Sequence, residues 1–149
     1  MKLETHIIFS LGLVSFALHS LGAPPYKALT IAFIASLFGN YIIDKIGHRG
    51  HVRTPLTHTL PRSIAWSLLS VPLAVLPFGL ASLPAALMAA ALTGPSHMLL
   101  DALTEEGIYV KREGKWRRWA IAHFRYNNFV ANGIAALAGI IMLVASLSV

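Results

Sequence analysis

"YKALTIAFIASLFGNYIIDKIG", residues 26–47, carries no charge between Lys27 and Asp44, and Gly47 closes it. An α-helix rises 1.5 Å per residue, so about 20 such residues cross a hydrocarbon layer of ~30 Å. The stretch therefore reads as a membrane-spanning helix that ends on a carboxylate. Working outward, "THIIFSLGLVSFALHSLG" (5–22) is a second such segment, closed by Gly22 and the Pro24-Pro25 pair. A third begins after Pro61 and runs to about Leu76, where Pro72 and Pro77 should make it kinked or short. A fourth runs from Pro84 to about Leu103 with Pro95 inside it, and a fifth from about Trp119 to Val149.

Composition agrees. Of 149 residues 56% are hydrophobic and 12% charged, and the mean hydropathy is +0.65, far from the balance of soluble domains. No linker, repeat or low-complexity block divides the chain. The expectation is one all-α domain over residues 1–149, a polytopic membrane bundle of about five helices. Cysteine is absent, so a metal here would be held by His, Asp, Glu, Asn or backbone oxygen.

Of the 12 Lys and Arg, Lys2, Lys45, Arg49, Arg53, Arg62, Lys111, Arg112, Lys115, Arg117, Arg118 and Arg125 fall on one side of a five-span layout, and Lys27 alone on the other. The positive-inside rule then predicts a cytoplasmic N-terminus and cytoplasmic long loops, with the C-terminus outside. Trp116 and Trp119 beside Arg117 and Arg118 resemble an interfacial belt, and each cation near the surface attracts anionic headgroups with ~1 kcal/mol. Topology alone accounts for this basic loop; recruitment of an anionic substrate is the alternative. Membrane lipids, rather than nucleic acid, are the expected partners, and the oligomeric state is left open.

The same layout sorts the chemically capable residues. His6, Asp44, His48, His51, His58, His97, Asp101, His123, Asn127 and Asn128 all fall at the cytoplasmic ends, although histidine played no part in the charge count; His19 lies opposite. His97 and Asp101, at i and i+4, share a helix face. Alone, such a pair reads more readily as an interhelical hydrogen-bonding pair than as a metal site. His51 reads as a loop histidine, and Thr59 as a cap for a helix with Pro61 in its first turn. The convergence is the stronger signal: intramembrane carboxylates cost about 2.5–3.5 kcal/mol and face partners or cavities. Mixed His/carboxylate sets suit zinc, manganese or iron. Pro95 would free the Ala91 carbonyl and bend the helix just before His97.

Four blocks, "THIIFS" (5–10), "NYIIDKIGH" (40–48), "RTPLTHTLPRS" (53–63) and "SHMLLDALTEEGIYV" (96–110), together resemble the LexA-binding, inner-membrane-associated family of metal-dependent hydrolases, and especially its small archaeal relatives. That family is similar in turn to the zinc-dependent phospholipase C and single-strand nuclease superfamily. The resemblance implies a metal cluster of an early His, an Asp, a His about fourteen residues later, and an HxxxD pair. Those positions fall here on His6, Asp44, His58, His97 and Asp101. The chain departs from the pattern at "YIIDK" (41–45), where a Pro-Asp-x-Asp-His run is usual, and at "RTPLTHT" (53–59), which keeps Thr57 and His58 but lacks the upstream His-Arg-Gly. His48 is a candidate to compensate. "HFRYNN" (123–128) resembles a motif of the archaeal relatives.

On this reading the protein is a multi-pass cell-membrane phosphoesterase with one or two divalent ions, zinc favoured, at the cytoplasmic face, acting on a lipid or lipid-linked phosphate. Asp101 would bridge the ions, with His58 and His97 on one and His6 on the other. Asp44 would be a ligand or the base that deprotonates water, and Arg49, Arg53 or Arg125 would bind phosphate. A transporter or proton relay would instead spread its polar groups toward the bilayer midplane. A non-catalytic protein docking a cytoplasmic partner would need the basic loops and no metal. Lys2, the apolar run after it and "SLGA" (20–23) imitate a secretory signal, but Glu4, His6 and His19 are out of place in a removable segment. The intact mass of purified protein is expected to include residues 1–23; their loss would overturn the five-helix reading.

Overall fold

A computed structural model describes residues 1–49 and 52–148, without the side chain of Arg49. His51 lies outside the described residues. Helices α1 (Leu3–Ser20), α2 (Pro25–Gly47), α5 (Leu83–Ala102) and α6 (Phe129–Leu147) are each long and apolar enough to span a membrane. Between α2 and α5 the apolar run Leu60–Val75 is broken into α3 (Leu60–Ser67), a 3-10 turn and α4 (Val71–Val75). At 1.5 Å per residue such a run reaches only about 24 Å, less than the ~30 Å hydrocarbon core. The described residues therefore contain four full-length apolar helices and one broken, shorter segment, which is the third of the five expected and the one that Pro72 and Pro77 marked as kinked or short. The break lies where Pro72 removes an amide donor and crowds the carbonyl of Leu68, the residue four before it.

Local chemistry sets the ends. Gly22, at φ +91°, closes α1 with Gly22 N–H donating to the His19 carbonyl and Ala23 N–H to the Leu18 carbonyl, the two bonds of a Schellman stop. Thr59 caps α3, its hydroxyl accepting from Arg62 N–H. α5 continues through Pro95. The expected fifth helix begins at Phe129, not Trp119. The segment before it forms a hairpin of β3 (Ile108–Arg112) and β4 (Lys115–Trp119), joined by the two-residue turn Glu113-Gly114. Both turn residues have positive φ, 52° and 77°, which matches the right-handed twist of the strands. A smaller pair, β1 (His48–Arg49) and β2 (Val52–Arg53), follows α2. The fold is therefore mostly helical with two short antiparallel ribbons, a departure from the all-α expectation.

The helices meet through small side chains. One core joins Val14 and Leu18 of α1, Ile31 and Ala35 of α2, Ala74 of α4 and Ala89 of α5. A Cβ on Gly12 would fall 1.9 Å from the Gly139 carbonyl oxygen, and one on Gly139 would meet the Ile8 carbonyl oxygen at 2.6 Å. Ser15 and Ser146 share a 2.9 Å hydrogen bond along the same seam. Close backbone approach and hydroxyl contacts of this kind hold helices together where lipid removes the hydrophobic drive between them. The outer face of α6 carries Ile134, Leu137, Ile141 and Val144, all more than half exposed, a surface suited to hydrocarbon. Gly12→Leu and Gly139→Leu are each expected to destabilise the fold by about 3 kcal/mol or more, read as a lowered unfolding midpoint in detergent.

Candidate metal centre

Three segments and α5 deliver polar groups to one end of the bundle. His6 stands in the first turns of α1, Asp44 in the last turn of α2, His58 in the loop before α3, and His97 and Asp101 in the last two turns of α5. His6, His58, His97 and Asp101 are buried, and the Asp44 side chain is 20% exposed. His6 Nε2 lies 3.1 Å from Asp101 Oδ1, and His97 Nε2 lies 3.2 Å from Asp101 Oδ2. Asp44 Oδ1 is 3.4 Å from His97 Nε2 and 3.7 Å from His58 Nε2, which is 3.5 Å from Asp101 Oδ2. The rings of His6 and His97 stack in parallel at 3.8 Å.

Neighbouring side chains decide what these nitrogens offer. Asn40 donates through Nδ2 to the Ser36 carbonyl and to Ser10 Oγ, both at 2.7 Å, and Ser10 Oγ itself donates to the His6 carbonyl. The amide is thus oriented with Oδ1 toward His97 Nδ1, 2.9 Å away, and that nitrogen must donate. Thr57 Oγ1 donates to the Ile43 carbonyl, so it accepts from His58 Nδ1 at 2.8 Å. With Nδ1 committed as a donor on both rings, Nε2 is the atom that each turns toward the carboxylates. Burial lowers the His58 pKa, outweighing the opposite pull of Asp44 and Asp101, so that ring is neutral near pH 7. The Nε2 atoms of His6, His58 and His97 and Asp101 Oδ2 are buried without a hydrogen-bond partner. At His58 a bare Nε2 lone pair facing the Asp44 and Asp101 oxygens repels them unless a cation lies between.

The donor set fits such a cation. Zinc binds His nitrogen and carboxylate oxygen at about 2.0–2.2 Å in a tetrahedron, so neighbouring ligand atoms sit about 3.3 Å apart. The separations here, from 3.1 to 3.7 Å, bracket that edge. Two overlapping sets arise, His6 with His97 and Asp101, and Asp44 with His58 and His97. His97 is common to both, whereas the sequence suggested Asp101 as the shared ligand with His6 apart; Asp101 nonetheless turns one oxygen toward His6 and the other toward His58 and His97.

The remaining candidates divide. His48 donates Nδ1–H to the Asp44 main-chain carbonyl at 2.8 Å and sits beside the cluster, 3.7 Å from Asp44 Oδ1. Arg53, expected on phosphate, is buried and committed at both terminal nitrogens: Nη2 to Asp101 Oδ1 at 2.6 Å, Nη1 to Thr104 Oγ1 and the Gly107 carbonyl. Its Nε has no hydrogen-bond partner. The Met1 amino group also meets Asp101 Oδ1, at 2.8 Å. Asn128 is a correction, because its side chain caps α6 by accepting from Ala131 N–H and so has a structural task. His123, Arg125 and Asn127 are exposed on the segment that leads into α6, which runs as an irregular turn instead of the expected helix. The Arg49 side chain lies outside the described residues.

Asn40 and Thr57 were not singled out as site residues, although Asn40, one turn before Asp44 on an apolar helix, carries a legible i, i+4 signal. Gly47 also serves the site, since a Cβ there would fall 1.9 Å from Thr57 Oγ1 and 2.5 Å from the His58 ring. A cavity of about 680 Å³ opens onto the cluster, lined by Met1, Glu4, Asp44, His48, Arg53 and Glu106 among others.

A family model described as a protein of unknown function (DUF1286) matches residues 1–100. No curated protein and no solved structure matches the chain. Groups that orient a ligating His typically change metal affinity 10–100-fold when lost. Asn40→Leu is expected to weaken divalent-ion binding by about that factor, while Asn40→Asp, which keeps the acceptor facing His97, retains it; titration of the ion-stripped protein reads both.

Proposed function

We propose that this chain, which belongs to the DUF1286 family, is a multi-pass membrane hydrolase whose His/Asp cluster holds one or two divalent ions, zinc favoured, and cleaves a phosphoester in a lipid or lipid-linked substrate at the cytoplasmic face. One observation carries the reading: the buried, unpartnered Nε2 atoms of His58 and His97, turned toward Asp44 and Asp101. The motif resemblance to membrane-associated metal-dependent hydrolases supports the reaction class, and the cationic side chains at the same end support the cytoplasmic assignment.

His6, His97 and Asp101 would hold one ion, and Asp44, His58 and His97 a second or alternative one. A divalent ion supplies Lewis-acid charge for a phosphoryl group and lowers the pKa of water toward neutrality. Where the ion is held by His6, His97 and Asp101, Asp44, at the cavity wall and partly exposed, would be free to act as a base toward an attacking water. Arg53 anchors Asp101 through Nη2, while its Nε faces Glu106 Oε2 at 3.7 Å, so its part is to position Asp101. The low-dielectric helix ends around them strengthen each of these interactions. The polar groups gather at one end of the bundle instead of forming a path through it, which disfavours a transport route.

Elemental analysis of untagged, membrane-extracted protein tests the reading. Wild-type protein should carry about one to two ions, His97→Ala and Asp101→Ala should lose them while still inserting, and Asp44→Asn should lower phosphodiester hydrolysis by about 10²–10⁴-fold. Equal metal content in wild type and both alanine variants would overturn it in favour of a non-catalytic docking protein.

A further inference from the structure

A second cavity, about 320 Å³, lies between α1, α5 and α6 beside the cluster. Its floor is Met1, Leu100 and Ala135, all buried, and its walls include the exposed Leu99, Val130 and Ile134. The groove is thus open sideways, where the outer surface of α6 is apolar. Its lining side chains are all apolar, so it suits hydrocarbon and no headgroup. Two residues tie it to the polar cavity: Met1 lines both, and Leu100 on the groove floor directly precedes Asp101.

We infer that this groove holds the hydrocarbon chain of the substrate while its phosphate occupies the adjoining polar cavity, so that the protein acts on a chain-bearing amphiphilic phosphoester drawn laterally from the membrane. The inference rests on the hydrolase reading for the headgroup and on the groove itself for the chain. Chemistry and position select the occupant: the groove is lined by apolar side chains throughout, opens sideways and meets the polar cavity at Met1, which matches a hydrocarbon chain joined to a phosphate. Each methylene withdrawn from water contributes about 0.8 kcal/mol, but a chain leaving bilayer for groove gains little. Selectivity therefore comes from the headgroup, with the groove setting the direction of approach.

The test uses the full chain in phosphatidylcholine nanodiscs and two photoreactive probes with a diazirine at the chain end, dodecyl phosphate and neutral dodecanol. Dodecyl phosphate should label Phe9, Leu100, Val130 and Ala131 in preference to the lipid-facing Ile141 and Val144, whereas dodecanol should label α6 along its length. Ala135→Trp and Ala131→Phe, which fill the groove, should each cut the dodecyl phosphate labelling there by about tenfold with unchanged metal content. Even labelling along α6 by both probes, groove labelling by dodecanol as strong as by the phosphate, or indifference to both substitutions would overturn the inference. Groove labelling specific to the phosphate in a protein that carries no metal would uphold the chain site while removing the hydrolase reading.

Discussion

The carboxylate of Asp101 has no solvent exposure at the end of an otherwise apolar helix, and a charge there must be met on every side. His97 meets it from its own helix, His6 from α1, Arg53 from β2 and His58 from the loop before α3. Three stretches of chain, distant in sequence, are thereby held to one point: the start of α1, the segment 53–58 and the end of α5. Breaking a buried pair by removing one partner typically costs 3–5 kcal/mol, which makes the arrangement mutually dependent: no single contributor can leave without stranding the rest. Arg53 extends the constraint outward, since it also ties Thr104 and the Gly107 carbonyl, while Tyr109 O–H donates back to the Arg53 carbonyl. The β3–β4 hairpin is in this way fastened to the roof of the cluster.

Close approach of the helices makes the convergence possible. Gly47 leaves room for His58, and Gly94 lets α3 lie against α5, where a Cβ would meet the Ser63 backbone at 2.6 Å. Hydroxyls do the remaining work: Ser67 donates to the Ala90 carbonyl at 2.6 Å across the same contact. Such interactions take the place of large apolar side chains in helix contacts that form within lipid, the setting for which four of these helices are long and apolar enough. They also bury His6, His58, His97 and Asp101, which sharpens the charges within the cluster.

The long helices were legible because apolar length is a strong signal, and Gly22, Pro25, Thr59 and Gly47 mark their ends within a few residues. The meeting of His6, Asp44, His58, His97 and Asp101 at one end was legible from helix polarity combined with motif resemblance. The β3–β4 hairpin was hidden because its strands are short and rich in cations, which read as a topological signal before they read as strand; the Glu113-Gly114 pair was the local cue. Arg53 was misread for a related reason. Spacing shows a cation near a site, but only packing shows that Asp101 already claims it. Asn128 likewise looked chemical beside His123 and Asn127, while its position just before an apolar run is that of a helix cap.

The clasp between α1 and α6 bears on the order in which the protein comes into being. Asn132 of α6 accepts through Oδ1 from Thr5 Oγ1 at 2.7 Å and from Lys2 N–H at 3.1 Å. The first turn of α1, which carries His6, is therefore seated by a helix that is synthesised after every member of the cluster. Until α6 has entered the bundle the cluster lacks its support on that side, so a chain interrupted before α6 would display Asp44, His58 and His97 without a properly placed His6. Maturation of the site is in this sense coupled to the arrival of α6.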